Sequence, residues 1–342
     1  MVLAVATLVS YALRLVGGAL SDRFDANKPL LTAGYGLSAI AKPLFAYAGA
    51  WHDVAALRSA ERLGKALRAA PKDKLIGLSA NSGAEGGSFG LVKSLDVAGE
   101  FCGLLVLLLA LAWFGATEAS FRTIFLASAL PGMLALIVLI VFVRDQRGGQ
   151  RKSLSLQLKL ESKLRRNVLI FCGVSTFMFS EAYFLLLANE HGYPMVSMIA
   201  LLLAARCIPM LISVPIGQAL DRFSAAWLLS FGYLLGVLAM AALLFSGGFA
   251  LVLAFLLFGI SDLFMLTSIR SDISKRADNQ GLAFGMFYFL VAISTAAGAL
   301  LVGFVWSLFG SETAVLLSCA GVLVMTVLHF MFGHQPNPPG QA

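Results

Sequence analysis

Two similar short stretches occur in the chain: GALSDRF at residues 18–24 and GQALDRF at residues 217–223. Each copy closes an apolar segment, and a Gly-Tyr pair follows in the next apolar segment of each half. A Phe-Gly pair opens a later segment in each half, at residues 89–90 and 284–285. The chain is therefore an internal duplication. Because the two copies run in the same direction, each repeat must contain an even number of apolar segments.

The composition identifies the class of protein. Hydrophobic residues make up 59% of the 342 residues, charged residues make up 13%, and the mean hydropathy is +0.87. A soluble domain holds roughly 45–50% apolar and about 25% charged residues. The apolar segments lack the alternation of polar residues that a transmembrane barrel requires. We therefore expect an all-α integral membrane protein.

Eleven apolar segments predict eleven transmembrane helices. They cover approximately residues 1–20, 30–50, 54–70, 88–113, 121–143, 167–189, 195–216, 226–246, 249–269, 283–305 and 313–333. The second half holds six segments and the first half five, so the duplication predicts one further span before residue 1. The predicted domains are a helical bundle of five spans, a basic linker, a bundle of six spans and a disordered tail. Their bounds are residues 1–143, 144–166, 167–333 and 334–342.

The lysines and arginines in the loops predict the orientation. Nineteen of the 25 lie on one set of loops, which includes the linker, and one, Arg122, lies on the opposite set. The linker is therefore expected in the cytoplasm, where it could also touch anionic lipid headgroups. Residues 115–117 and 247–248 are expected outside. The net charge of +7 is thus a topology signal and does not indicate nucleic-acid binding.

The repeated stretch predicts a conformational latch. Glycine lets neighbouring helices approach closely, and an aspartate at a helix end can accept hydrogen bonds from helix N-terminal amides or pair with a basic residue. A static turn that merely marks the membrane boundary is the alternative, and the presence of two symmetric copies favours the latch. The latch residues are Gly18, Asp22 and Arg23 in the first half, and Gly217, Asp221 and Arg222 in the second.

Ionisable residues inside the predicted spans are candidates for transport or coupling. Such residues cost at least about 2.5–3.5 kcal/mol at the bilayer centre and usually face a bundle interior or a water-filled cavity. Five acids and five bases lie inside the spans, and these equal numbers favour mutual pairing. The candidates are Arg58, Glu61, Arg62, Asp96, Glu100, Glu181, Arg206 and Asp262.

Two of these groups lie on successive spans. Arg58, Glu61 and Arg62 share one helix face, and Asp96 and Glu100 share a face of the next span. Consecutive spans are usually neighbours, so we expect the basic face to meet the acidic one. A structural salt-bridge zipper and a substrate or proton site fit this pattern equally well. If the site carries a proton, Glu100 is the better candidate and Asp96 the better permanent ion-pair partner.

The remaining candidates are single residues with two interpretations each. Glu181 and Asp262 fit either helix–helix hydrogen bonding or coupling. Arg206 could bind an anionic substrate or neutralise one of these acids, and the second interpretation is favoured. No phosphate-binding loop, metal-ligand spacing or Ser/His/Asp order is present, so neither an enzyme nor a cofactor or metal site is expected.

These motifs resemble the major facilitator superfamily, and within it a subgroup of bacterial permeases. Residues 62–73, RLGKALRAAPKD, are similar to the subgroup's R-x-G-K-G-x-R-x-x-P-R-D pattern. Ser180-Glu181 and the segment from Pro215 to Arg222 resemble two further motifs, in the same order. The resemblance covers about residues 1–333 and implies a fold of two helical bundles with twelve spans, here lacking the first, and a monomer.

The sequence also departs from the family pattern. The loop at residues 25–28 lacks the glycine and clustered arginines that usually follow the first latch motif, which predicts a weaker first-half latch. The span around Glu100 lacks the proline of the family's antiporter motif, which speaks against an efflux antiporter.

The resulting functional prediction is a secondary active transporter in the bacterial inner membrane. It would move a small solute by alternating access, with coupling to protons, and its other contacts would be with membrane lipid and not with nucleic acid. The alternative is a transporter-like membrane protein that no longer transports and serves as a sensor or assembly partner. The absent first span and the altered loop favour this alternative, whereas the intramembrane charges favour the transporter.

Overall fold

The computed structural model describes residues 14–23, 27–115, 117–145, 161–245 and 247–333. Most of the predicted linker and the predicted tail lie outside these ranges. The described chain is helical and contains no strand. The first four helices are α1 (residues 14–23), α2 (Asn27–Leu44), α3 (Trp51–Ser79) and α4 (Glu85–Phe114). Then come α5 (Glu118–Ala127), α6 (Ala129–Phe142), α7 (Ser162–Phe177), α8 (Glu181–Glu190) and α9 (Met195–Arg222). The last four are α10 (Ala225–Ala242), α11 (Gly248–Arg276), α12 (Gln280–Phe309) and α13 (Ser311–Phe332).

Helices cover every predicted apolar segment within the described residues, and the all-α membrane fold is confirmed. Eight helical segments are long and apolar enough to span a membrane, with α5–α6 and α7–α8 each counted as one. The helices α2 and α3 do not reach that hydropathy. The hydropathy of α3 is low because the helix carries five basic or acidic residues from Arg58 to Arg68 inclusive.

Two predicted spans are interrupted. The span at 118–142 breaks at Ser128, because Pro131 lacks the amide that would donate to the carbonyl one turn earlier. The span at 162–190 breaks at residues 178–180 without a proline. Here the hydroxyls of Ser175 and Thr176 donate to the Phe171 and Cys172 carbonyl oxygens, a pattern that bends helices. The periodicity of apolar residues gave no sign of this second break.

The helices form two compact units, and each unit contains segments from both halves of the chain. Unit 1 comprises Met1–Ser79, Leu109–Lys159 and Ala277–Phe289. Unit 2 comprises Ala80–Leu108, Leu160–Arg276 and Leu290–Ala342. The first part of α4 therefore packs with second-half helices, and the first part of α12 packs with first-half helices. The sequence-based boundary between two bundles at residues 144–166 stays a prediction.

Each unit is built on one tight helix pair. In unit 1, α2 packs against α3, and α2 also packs against α6. In unit 2, α10 packs against α11, which also contacts α9, while α13 packs against α7 and α10. His329 belongs to this second core, where its ring contacts Tyr233 edge-on and its Nε2 lies 3.0 Å from the Ala226 carbonyl oxygen. His329 is therefore a packing residue of this core.

Candidate functional site

The central feature of unit 2 is an arginine held between two glutamates from different helices. Arg206 Nε lies 2.7 Å from Glu100 Oε2, and Arg206 Nη2 lies 2.6 Å from Glu181 Oε1. The arginine side chain is 19% exposed, whereas Glu181 is 37% and Glu100 is 55% exposed. Arg206 therefore forms the inner part of this site, and Glu100 is its most accessible acid.

The helices α4 and α9 are antiparallel neighbours, which explains the Glu100–Arg206 pair. Near the start of α4, Gly86 lies against Gly217 of α9, and a β-carbon placed on Gly86 would come within 2.5 Å of the Gly217 carbonyl oxygen. Farther along, the Ser94 hydroxyl donates to the Met210 carbonyl oxygen at 2.7 Å. One and a half turns later Glu100 reaches α9 at Arg206.

The break between α7 and α8 places the second glutamate. Glu181 is the first residue of α8, and the preceding Ser180 has an extended backbone. A helix N-terminus carries a partial positive charge, so it stabilises a carboxylate in the first turn. Irregular backbone at membrane depth is tolerated where it is buried in protein or lines a cavity, and Phe179 in the break is buried.

A second ion pair extends the site. Lys93 Nζ on α4 lies 3.1 Å from Asp262 Oδ2 on α11, and the charge of Asp262 also acts on Glu181. We call these five residues the second-half charge cluster: Lys93, Glu100, Glu181, Arg206 and Asp262. It contains three carboxylates and two cations contributed by four helices.

The charges of α3 in unit 1 are arranged differently. Glu61 is buried and is contacted by Lys65 at 2.9 Å and by Arg58 at 3.5 Å, both on its own helix. Lys42 on α2 lies near enough for its charge to act on Glu61. Arg62 is half-buried beside them.

Glu100 and Arg58 have partners other than the ones expected from the sequence. Glu100 pairs with Arg206 on α9, and Arg58 pairs with Glu61 on its own helix. The order of the spans along the chain did not predict the partner of Glu100, because close glycine contacts bring α4 against α9. Asp96 is exposed on α4. For Arg206, the interpretation as the residue that neutralises an acid agrees with the observed geometry.

The first-half latch motif forms a defined contact in unit 1. Asp22 accepts hydrogen bonds from the backbone amides of Gly281 and Leu282, at the start of α12, at 3.2 and 2.7 Å. Lys74, at the end of α3, lies 2.9 Å from Asp22 Oδ1 and also donates to the Ser21 carbonyl oxygen. The aspartate thus meets both a helix N-terminus and a lysine.

The second-half motif forms an equivalent contact in unit 2. Asp221 accepts from the amides of Gly86 and Gly87, at the start of α4, both at 2.8 Å. Lys275, at the end of α11, lies 3.6 Å from Asp221 and donates to the Leu220 carbonyl oxygen at 3.0 Å. Each latch therefore has one aspartate, two successive amides and one lysine.

Glycines allow both latches to close. A β-carbon on Gly281 would come within 2.7 Å of the Gly18 carbonyl oxygen, which mirrors the Gly86–Gly217 contact. Arg23 and Arg222 are exposed at the ends of α1 and α9, next to the aspartates.

Sequence analysis missed the two lysines and the glycines at the starts of α4 and α12. A signal for the lysines was present, since Lys74 and Lys275 are 201 residues apart and so follow the duplication. Glu61 and Asp262 have the same separation, which makes them equivalent positions with different partners. Within the described ranges, no group of three or more His, Cys, Asp or Glu residues is arranged to hold a metal ion.

Apolar helices long enough to span a membrane, a duplicated helix-end contact and ion pairs between helices define a multi-pass membrane protein. A family model described as Major Facilitator Superfamily matches residues 1–299. The chain therefore belongs to the major facilitator superfamily, a family of transporters.

Individual relatives agree with this assignment. An uncharacterized MFS-type transporter of Methanocaldococcus jannaschii is 26% identical over 339 residues, which is 93% of this chain and 83% of the relative. Among solved structures, the human organic anion transporter MFSD10 (TETRAN) has a TM-score of 0.75 at 14% identity, covering 96% of this chain and 82% of that one. A variant of the E. coli fucose:proton symporter FucP has a TM-score of 0.72 at 15% identity, with 98% and 90% covered. The structural likenesses support the fold alone.

Proposed function

We propose that this protein is a secondary active transporter that moves a small solute by alternating access and couples the movement to protons. The observation that carries the proposal is Arg206, which bridges Glu100 of α4 and Glu181 of α8. Ion pairs between helices must break or re-form when those helices move, so they can link protonation to conformation. We further expect a monomer in the bacterial inner membrane.

The geometry suggests different roles for the two glutamates. Glu100 is more than half exposed, and in this proposal it faces the water-filled path of the solute and exchanges protons there. Glu181 is less exposed, lies in the first turn of α8 and is contacted by Arg206 at 2.6 Å. Protonation of Glu100 would remove one of the two ion pairs of Arg206. Glu100 is therefore the proposed proton carrier and Glu181 the lasting partner of the arginine.

The two latches supply the conformational element in this proposal. Each joins an aspartate to the N-terminus of a helix through two hydrogen bonds that water can replace. Such contacts are worth roughly 0.3–1 kcal/mol each, which suits a contact that opens and closes at modest energy. Asp22 and Asp221 would thus set the balance between conformations without taking part in solute binding.

Reconstituted vesicles test the proposal. Because the solved relatives include a fucose:proton symporter and an organic anion transporter, the first probes are radiolabelled fucose and a set of small organic anions. With an imposed pH gradient, the wild type should accumulate one of these probes, and collapse of the gradient should stop accumulation. Absence of gradient-dependent movement of any probe, in protein shown to be folded, would favour the alternative of a sensor or assembly partner.

A further inference from the structure

The break at residues 178–180 separates α8, and with it Glu181, from α7. At the end of α7, the Met178 amide donates to the Val174 carbonyl oxygen at 2.9 Å. At the start of α8, the Tyr183 amide donates to the Ser180 carbonyl oxygen at 2.9 Å. Because α8 does not continue the hydrogen-bond ladder of α7, other contacts must fix its position.

Helix α12 touches the end of α7 just before the break. Gly298 of α12 is buried there, and a β-carbon at this position would collide with the Thr176 carbonyl oxygen. Small residues allow such close approach between membrane helices. Backbone therefore meets backbone at the last turn of α7, which ends at Phe177.

Farther along, α12 contacts both ends of α8. The Tyr183 hydroxyl, in the first turn of α8, donates to the Ala299 carbonyl oxygen at 2.7 Å. Gly303 leaves room for this hydroxyl, since a β-carbon there would come within 2.9 Å of it. At the other end of α8, Glu190 Oε1 accepts from Trp306 Nε1 at 3.0 Å. The three α12 residues are spaced at i, i+4 and i+7 and so lie on one face of that helix.

Three aromatic rings reinforce this contact. Phe179 lies in the break, Tyr183 on α8 and Trp306 on α12. Their ring centroids are 5.3 Å apart for Phe179 and Tyr183, 5.7 Å for Tyr183 and Trp306, and 6.1 Å for Phe179 and Trp306. These separations are typical of favourable aromatic pairs. The rings therefore join the break, α8 and α12 in one cluster.

The contact is specific to the second half. The Phe-Gly pairs at residues 89–90 and 284–285 make α4 the counterpart of α12. The α4 positions equivalent to Gly303 and Trp306 are Leu108 and Leu111. A leucine side chain donates no hydrogen bond and does not leave the room that glycine leaves. The face of α12 that holds α8 is therefore not a general feature of the repeat.

The opposite side of α8 is held in a different way. Phe184 is buried against Phe255 and Phe258 of α11, with ring centroids 5.2 and 4.7 Å apart. Apolar attraction is non-directional, so it holds α8 against α11 without fixing how the helix is turned. Hydrogen bonds depend on angle as well as distance, and those to α12 supply this direction.

We propose that Trp306 is a positioning residue that keeps Glu181 in contact with Arg206. It acts by fixing α8, of which Glu181 is the first residue. Because Arg206 Nη2 lies 2.6 Å from the Glu181 carboxylate, a small shift or turn of α8 separates the pair. The inference rests on the proposed function, in which Glu181 is the lasting partner of the arginine and Glu100 carries the proton.

The first test is amide hydrogen exchange of residues 181–190 in lipid nanodiscs. Trp306→Ala removes both the hydrogen bond and the ring, so we expect about tenfold faster exchange of α8. Trp306→Phe keeps a ring but not the N–H donor, and about threefold faster exchange is expected. Trp227→Ala, which changes an exposed tryptophan of α10, is the matched control and should leave α8 unchanged. Exchange of residues 162–174 in α7 should be the same in all variants.

A double-mutant cycle separates positioning from a merely structural role. Glu181→Gln alone should speed the exchange of α8 about threefold, because it weakens a partly exposed ion pair. If Trp306 acts through Glu181, the combination with Trp306→Ala should exchange about tenfold faster than wild type. Independent effects would multiply to about thirtyfold.

The second readout is accumulation of solute in vesicles with an imposed pH gradient. Trp306→Ala should lose accumulation but still equilibrate the solute, because Arg206 is then left to Glu100 alone. Trp306→Phe should restore a large part of the accumulation, and Trp227→Ala should accumulate like the wild type.

Three results would overturn the proposal. The first is unchanged exchange of α8 in Trp306→Ala, and the second is a combined effect equal to the product of the single effects. The third is wild-type accumulation in Trp306→Ala despite faster exchange of α8. Exchange does not require transport, so a wild type that accumulates no solute would count against the proposed function, while exchange would still decide whether Trp306 positions Glu181.

Discussion

Glu61 of α3 and Asp262 of the second-half charge cluster occupy equivalent positions in the duplicated fold, but they form ion pairs in different ways. Glu61 is held by Lys65 and Arg58 of the same helix. Its counterpart Asp262 is held by Lys93 of α4, and Arg206 joins two further helices. Pairs within one helix persist when helices move, whereas pairs between helices change whenever those helices move relative to one another. The comparison therefore supports our proposal that the second-half charge cluster responds to conformation.

The largest expected difference concerns the two arginines. Arg206→Ala leaves the Glu100 and Glu181 carboxylates without their cation and should lower the free energy of unfolding by about 2 kcal/mol. Arg58→Ala removes one local pair and should cost about 0.3–0.5 kcal/mol. Denaturant unfolding in detergent, followed by tryptophan fluorescence, measures both. Equal losses would remove the distinction between the two regions.

A rescue experiment sharpens this prediction. Adding Glu100→Gln and Glu181→Gln to Arg206→Ala removes the uncompensated charges, so a large part of the stability should return. No recovery would show that Arg206 acts through packing of its side chain and not through its charge.

The second prediction concerns the close contact between α4 and α9 at Gly86 and Gly217. Gly86→Ala places a β-carbon against the Gly217 carbonyl oxygen and should destabilise the α4–α9 contact by about 1–3 kcal/mol. Gly99 lies on the same helix with nothing within 4 Å of such a β-carbon, so Gly99→Ala is the matched control. Hydrogen exchange of the first turn of α4 should become faster only in Gly86→Ala. Unchanged exchange in both variants would contradict the close crossing.

The smallest effects are expected at the latches. Asp22→Asn and Asp221→Asn should each weaken the contact by roughly 0.3–1 kcal/mol and speed amide exchange at the helix start that the aspartate caps. The first latch should respond more strongly, because Lys74 lies 2.9 Å from Asp22 and is only 7% exposed, whereas Lys275 lies 3.6 Å from Asp221. Identical exchange in wild type and both variants would indicate static turns.

Sequence analysis predicted the membrane class, the positions of the helices and the duplication, because apolar segment length and repeated motifs are local signals. It also named Glu100, Glu181, Arg206 and Asp262, which lie together with Lys93 in the second-half charge cluster. It did not predict their partners. Glu100 was assigned to an arginine of the preceding span, since chain order was the only guide to neighbours, whereas glycine packing brings α4 to α9.

For the latches, too, the sequence predicted the aspartates but not the helices that they contact. Asp22 and Asp221 were recognised from the repeat, and a helix N-terminus or a base was expected as partner. Which helices supply the amides depends on the packing of α4 and α12, and no pattern within one span encodes that. The altered loop at residues 25–28 suggested a weak first latch, yet Asp22 obtains its basic partner from the distant Lys74.

In our proposal, Glu100, which pairs with another helix, couples proton and solute movement, and Glu61, which pairs within its own helix, does not. The decisive measurement is accumulation of solute in vesicles with an imposed pH gradient, in Glu100→Gln and in Glu61→Gln. We predict that Glu100→Gln loses accumulation above the outside concentration but still equilibrates the solute, while Glu61→Gln accumulates like the wild type. Wild-type accumulation in Glu100→Gln would contradict the account, and so would equal loss in both variants.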